Sequence, residues 1–137
     1  MTTTTAPTAS TGAEITLSPT LSAPDVEVVT GESLRLGAGR TRRFVGIEHG
    51  SGISYFSVDY ETGEGPGLHW HPYPETWVVI EGVATITMGD RTITAREGDT
   101  ATVPAGVWHG FRNLGEGRLK VLCIHASPVI VQTWADE

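Results

Sequence analysis

Apolar and polar residues alternate in short runs along most of this chain. From about Val26 onward, β-prone stretches recur: "VEVVT", "RRFVGIEH", "ISYFSVDY", "ETWVVIEG", "VATITM", "RTITA", "TATVPA", "HGFRN", "RLKVLCIHA" and "PVIVQTW". Gly, Asp, Asn or Pro separates most of them. Such punctuation between short strands is the pattern of a sandwich or barrel. "MGDRTIT" is the clearest hairpin, because Gly89-Asp90 is a two-residue turn signal between two alternating runs. No segment places apolar residues at i, i+3, i+4 and i+7 over a useful length with caps to match. The expected fold class is therefore all-β.

The N-terminus breaks the pattern. "MTTTTAPTASTG" has no apolar block and no basic residue, so it is not expected to act as a secretory signal. Residues 1–20 are expected to form a flexible arm, and residues 21–137 a single β domain. A chain of 137 residues has the size of one domain.

Charge and cysteine content narrow the function classes. Sixteen acidic against nine basic residues give a net charge of −7. That argues against nucleic acid or an anionic membrane as partner. Arg40, Arg42 and Arg43 form the nearest thing to a basic cluster and read as a solvated face. No run of about 18 apolar residues is present, so no membrane span is expected, and the expected location is cytoplasmic. Cys123 is the only cysteine. An internal disulfide and a thiolate cluster are both excluded, and Cys123 reads as a small core residue.

The histidines point to chemistry. The stretch "GEGPGLHWHPYPETWVVIEG" contains two of the chain's five. Residues i and i+2 of a strand share a face, so His69 and His71 project together while Trp70 points away. Two imidazoles on one face suit a divalent transition metal. Pro72 and Pro74 oppose a helix and favour extended backbone. Glu75 returns to the parity of the histidines and could add a carboxylate oxygen.

A second stretch, "GDTATVPAGVWHGFRN", makes a resemblance specific. Gly63, His69, His71, Glu75 and Gly82 read G-x5-H-x-H-x3-E-x6-G. Gly98, Pro104, Gly106, His109 and Asn113 read G-x5-P-x-G-x2-H-x3-N. In both spacing and order the two resemble the signature motifs of the cupin superfamily, with no departure at any signature position. The resemblance implies a double-sheet jelly-roll β-barrel. It implies one metal ion held by His69, His71, Glu75 and His109, and pairing into a homodimer. It places Gly82 and Gly98 at turns, with Pro104-Ala105-Gly106 bending the chain toward His109. Three nitrogens and one oxygen suit Fe, Ni, Mn, Cu, Co or Zn.

Strand parity nominates neighbours of such a site. Trp77 and Val79 share the parity of Glu75, and Phe111 that of His109. All three are candidates for the pocket wall or for plain core. Tyr55 and Phe56 differ in parity, so one faces in and one out. Tyr60 lies on the same run. His125 shares a face with Cys123; it could line the pocket, transfer a proton or sit away from the ligands. His49, beside Gly50-Ser51-Gly52, reads as a loop residue, and Glu81 as solvated. No Gly-rich phosphate loop has its strand-to-helix context.

Three functions follow. The first is an oxygenase or dioxygenase, with Glu75 as the catalytic ligand and a small aromatic or enolic substrate. The second is an isomerase, lyase or polyketide-type cyclase, with the metal as Lewis acid. The third is a binding module in which the metal only holds the barrel. Fold alone does not choose among them.

Overall fold

The computed structural model describes residues 18–136. The expected N-terminal arm therefore lies almost wholly outside the described residues. Ten strands form: β1 (Arg42–Phe44), β2 (Ser54–Tyr60), β3 (His69–Trp70), β4 (Glu75–Glu81), β5 (Val83–Met88), β6 (Arg91–Arg96), β7 (Thr100–Val103), β8 (His109–Arg112), β9 (Leu119–His125) and β10 (Thr133–Trp134). They make two five-stranded antiparallel sheets, ordered β1-β2-β9-β4-β7 and β10-β3-β8-β5-β6. This is the double-sheet jelly roll that the motifs imply.

Alternation builds the interior. Along β4 and β9 every second residue is buried through most of the strand. Val58, Val79, Val103, Leu119 and Val121 from one sheet share a core cluster with Ala84, Ile86, Ala95 and Phe111 from the other. Burying each large apolar side chain contributes about 1.5–3 kcal/mol. The hairpin forms as the sequence suggests: Met88 pairs with Arg91, and Gly89-Asp90 connects them.

Three runs depart from their β reading. Val26–Thr30 is not a strand, and Val26 and Val28 are 77% and 88% exposed. β propensity needs a neighbouring strand to pair with, and none reaches this segment among the described residues. Thr30 instead caps a one-turn helix, Gly31–Leu34, by accepting the Ser33 N–H. The run "RRFVGIEH" stops as strand at Phe44 and turns into a 3-10 segment, Gly46–His49. A side chain at Gly46 would collide with the Ile53 carbonyl. His49 ends that turn with its ring stacked on Phe44, a short helix rather than a plain loop. Of "PVIVQTW", only Thr133–Trp134 is strand.

Two glycines test the backbone argument. Gly82 and Gly98 have φ of +88° and +87°. Nothing lies within 4 Å of a Cβ built at Gly98, whereas one at Gly82 would strike the Arg118 carbonyl oxygen. Gly98→Ala should therefore cost about 1–2 kcal/mol, the penalty of left-handed backbone alone. Gly82→Ala should cost more, about 3 kcal/mol or beyond, because backbone must also move. Urea unfolding of the two variants checks the order, and equal losses would contradict it.

Candidate metal centre

Both sheets deliver donors to one point. His69 in β3 pairs directly across from His109 in β8. Glu75 opens β4 in the other sheet, between His125 of β9 and Val103 of β7. His71 lies in the link from β3 to β4, and its carbonyl accepts the Gly106 N–H at 2.9 Å. The turn of the second motif is thus tied to the ligand loop of the first. All four donor residues are buried. Their ligand atoms lie within 4.8 Å of one another.

Backbone carbonyls set the tautomers of the three histidines. Nδ1 of His69 lies 2.8 Å from the Gly67 carbonyl, and Nδ1 of His109 lies 2.7 Å from that of Val107. Nδ1 of His71 lies 3.3 Å from the Tyr73 carbonyl. A carbonyl only accepts, so each Nδ1 carries the proton and donates. In the neutral rings each Nε2 then presents a bare lone pair. Metal-binding histidines are oriented by this kind of backbone bond.

The lone pairs converge with a carboxylate. Nε2 of His109 lies 3.1 Å from Nε2 of His71, and each lies 3.1 Å from Glu75 Oε1. Three electron-rich atoms this close repel unless a cation sits among them. Donors about 2.0–2.2 Å from one ion, set at right angles, stand about 3 Å apart. The donor set fits one divalent metal ion, held by His69, His71, Glu75 and His109.

The protonation states agree with that role. Burial lowers the His69 imidazole to about 4, with the bond to the Gly67 carbonyl opposing it. His69 is thus neutral at pH 7 and free to ligate. Burial also works to raise the Glu75 carboxyl, but in the metal-free chain hydrogen bonds from His109, His125 and His71, made where their Nε2 atoms carry a hydrogen, outweigh it and hold the group below the ordinary carboxylate range.

An apolar cavity of about 170 Å³ meets the cluster. His69 and Glu75 form part of its wall, with Phe56, Tyr60, Trp77, Phe111, His125 and Trp134 among the rest. Trp77, Phe111 and His125, nominated by parity, therefore reach the wall. Val79 does not; it is packed in the core beside Val121, its cross-strand partner. Two residues along a strand span about 7 Å, which carries Val79 past the end of the cavity. Phe56 is the inward member of its pair, and Tyr55 faces out, stacked on Phe44. Trp77 meets Phe111 edge-on at 4.9 Å between centroids. Its Nε1 is the one buried side-chain polar atom without a hydrogen-bond partner among the described residues.

Some wall residues are not marked by parity with the motifs. Trp134 reaches the site through pairing with His69 across β10 and β3, and its ring lies 4.5 Å from the imidazole. Gln132 precedes it on the wall. Nothing local in "PVIVQTW" announces this pairing. Tyr73 was legible in principle as an inward residue, since it shares the parity of His69, His71 and Glu75. It stacks on His71 at 4.9 Å and bonds to His125 at 2.7 Å. Cys123 is buried on the same wall, where burial raises its thiol well above the ordinary value. Asn113 of the second motif holds backbone together, its Nδ2 donating to the carbonyls of Tyr60 and Gly117.

Acid should unfold the metal-free protein in two stages. His69 has its folded value lowered from 6.5 to about 4, so the unfolded chain takes up that proton first. Its contribution is level above pH 6.5, and stability falls as pH drops from 6.5 toward about 4. Glu75, lowered from 4.5, stabilises fully above that value and loses its contribution as pH falls below it. Denaturant midpoints measured after chelation should decline through both windows. A midpoint that rises between pH 6.5 and 4 would contradict the burial of a neutral His69.

Comparison with known proteins agrees with this geometry. Residues 56–125, just over half of the chain, match the family described as "Cupin domain". Mannose-1-phosphate guanylyltransferase 2 of Escherichia coli O157:H7 is 28% identical over 74 residues, 53% of this chain and 15% of that protein. The xanthan biosynthesis protein XanB of Xanthomonas campestris is 33% identical over 77 residues, 56% of this chain and 16% of its own. An uncharacterised Streptomyces coelicolor protein is 38% identical over 58 residues, 42% of this chain and 54% of its own. The chain thus spans only part of the length of these relatives. Among solved structures, oxalate decarboxylase of Bacillus subtilis, a protein with Mn(II) centres, superposes with a TM-score of 0.67 at 24% identity, over 75% of this chain and 29% of that one. The oxalate decarboxylase of Lactobacillus farciminis gives a TM-score of 0.66 at 23% identity, over 74% of this chain and 32% of its own. These structures share the fold. With both signature motifs intact and the family matched over most of the barrel, the chain belongs to the cupin family.

Proposed function

We propose that this cupin is a metal-dependent oxygenase acting on a small, uncharged organic molecule of about one ring, aromatic or enolic. The observation that supports this best is the apolar cavity against the four-donor cluster. Its volume of about 170 Å³ is close to that of a cavity of about 150 Å³ that admits benzene. Its wall holds no Arg or Lys. Beyond the metal position, nothing there would pair with a second carboxylate or a phosphate. The substrates named for the relatives, oxalate and a sugar phosphate, are therefore not carried over.

The titratable groups on the wall favour redox chemistry over acid–base chemistry. Glu75 and His69 belong to the ligand cluster. His125 is engaged by Tyr73 and Glu75. Burial, with Cys123 and Glu64 nearby, pushes the Tyr60 phenol up to about 12, too weak an acid for ready proton transfer at neutral pH. Among the described residues, no carboxylate or imidazole on the wall is left unengaged to abstract a proton for an isomerase or cyclase. When bound, a redox-active divalent metal such as Fe, Ni, Mn, Cu or Co supplies electron transfer between substrate and O2, which Zn does not.

The chain's own residues then divide the work. His69, His71 and His109 offer neutral imidazole nitrogens. Glu75 supplies the one negative charge and is the residue assigned a catalytic role. Phe56, Phe111, Trp77 and Trp134 exclude water and orient a flat ring. Glu75→Gln keeps an oxygen and the size but removes the charge, so it should lower turnover severely and metal affinity modestly. Under air, the Fe(II) or Ni(II) form should consume O2 with enols or diketones, and the Zn(II) form should be inactive. Undiminished turnover of the Zn(II) form without O2 would overturn the oxygenase reading and favour the Lewis-acid one.

A further inference from the structure

Behind the ligand cluster runs a chain of polar groups. The Val131 N–H lies 3.0 Å from the Tyr73 hydroxyl, and that hydroxyl lies 2.7 Å from Nδ1 of His125. Nε2 of His125 lies 3.3 Å from Glu75 Oε2. Tyr73, His125 and Glu75 are all buried. Glu75 and His125 are direct cross-strand partners on β4 and β9.

For a neutral His125 ring, donor rules together with the distances give the chain one direction. A backbone N–H only donates, so the Tyr73 oxygen accepts from Val131. The Tyr73 hydrogen has two acceptors in reach, Nδ1 of His125 at 2.7 Å and the Val131 carbonyl at 3.4 Å. The nearer takes it. Nδ1 of His125 is then the bare nitrogen, and Nε2 carries the hydrogen and donates to the carboxylate. This is the opposite tautomer from that of His69, His71 and His109, whose Nδ1 atoms donate to carbonyls.

We propose that Tyr73 and His125 are a positioning pair for Glu75. The pair occupies Oε2 and leaves Oε1 facing Nε2 of His71 and His109 at 3.1 Å. The tautomer also keeps His125 out of the ligand set, since a protonated Nε2 has no lone pair to give. Pro72 and Pro74 flank Tyr73 and limit its backbone. The Pro74 carbonyl accepts the Ala126 N–H at 3.1 Å, which ties the link to the end of β9. Val131 leads into Gln132 and Trp134 on the cavity wall. The same hydroxyl therefore connects the seat of β10 to the orientation of the carboxylate. The pair's importance for metal binding rests on reading His69, His71, Glu75 and His109 as metal ligands; its tautomer does not.

The test uses two readouts on the full chain. Nitrogen-15 NMR of the imidazoles in the metal-free protein should show His125 protonated at Nε2 and bare at Nδ1. Tyr73→Phe keeps the ring and removes the hydroxyl; Nε2 keeps its hydrogen against the Glu75 carboxylate, and the Nδ1 resonance should move as that nitrogen loses its hydrogen bond. Competition with a chelator should show Zn(II) binding weakened about 10-fold or more in Tyr73→Phe, the usual effect of losing support behind a metal ligand. Tyr55→Phe, on the outer face, should change neither readout. A wild-type His125 protonated at Nδ1 would overturn the pair. So would wild-type Zn(II) affinity and an unshifted Nδ1 resonance in Tyr73→Phe, even with a lowered melting point, because that pattern is support of the fold alone. A wild-type chain that binds no Zn(II) would sink the ligand reading and the pair's role in binding together, whereas loss of affinity in Tyr73→Phe alone would leave the ligand reading standing.

Discussion

Three backbone carbonyls, those of Gly67, Tyr73 and Val107, hold the Nδ1 hydrogens of His69, His71 and His109. In the neutral rings this forces three Nε2 lone pairs inward, toward a carboxylate, in a buried space. Such a cluster is costly by itself, because like-signed electron density converges in a buried space. In the metal-free chain the His71 and His109 contacts to Glu75 become hydrogen bonds only by capturing a proton at Nε2. A divalent ion removes that need. The rest of the fold supplies what keeps the cluster from relaxing apart.

That support comes from having two sheets rather than one. His69 and His109 are register partners in one sheet, and Glu75 and His125 in the other. The core between the sheets, from Val103 and Leu119 to Ile86 and Phe111, fixes their separation. The Gly106-to-His71 bond joins the two motif loops, and Asn113 ties the end of β8 to the carbonyls of Tyr60 and Gly117. The same architecture leaves an apolar chamber beside the cluster instead of filling it, and the proposed substrate class follows from that chamber's wall.

Much of this was legible in the sequence because it is local. The residue types and spacing of His69, His71 and Glu75 marked the ligands, but not as one strand face: β3 ends at Trp70, His71 lies in the link, and Glu75 opens β4 in the other sheet. Gly82 and Gly98 stand at left-handed turns where the motifs place them. What could not be read depends on pairing between distant segments. "VEVVT" has strand composition but no partner among the described residues. Trp134 enters the site only because β10 pairs with β3. Parity carried Val79 inward correctly but could not show where the cavity ends. His125 shows the same limit: its face was readable, but its bond to Tyr73, 52 residues away in sequence, was not.

The chemistry proposed for this barrel depends on these four side chains holding one metal ion. Metal content per chain, by elemental analysis after reconstitution and desalting, is the direct measure when wild type is compared with the His69→Ala, His71→Ala double variant. The wild type should carry one equivalent of divalent metal and the variant almost none, with the β-type circular dichroism of both alike. A full equivalent retained by the folded double variant would contradict the assignment of the ligands.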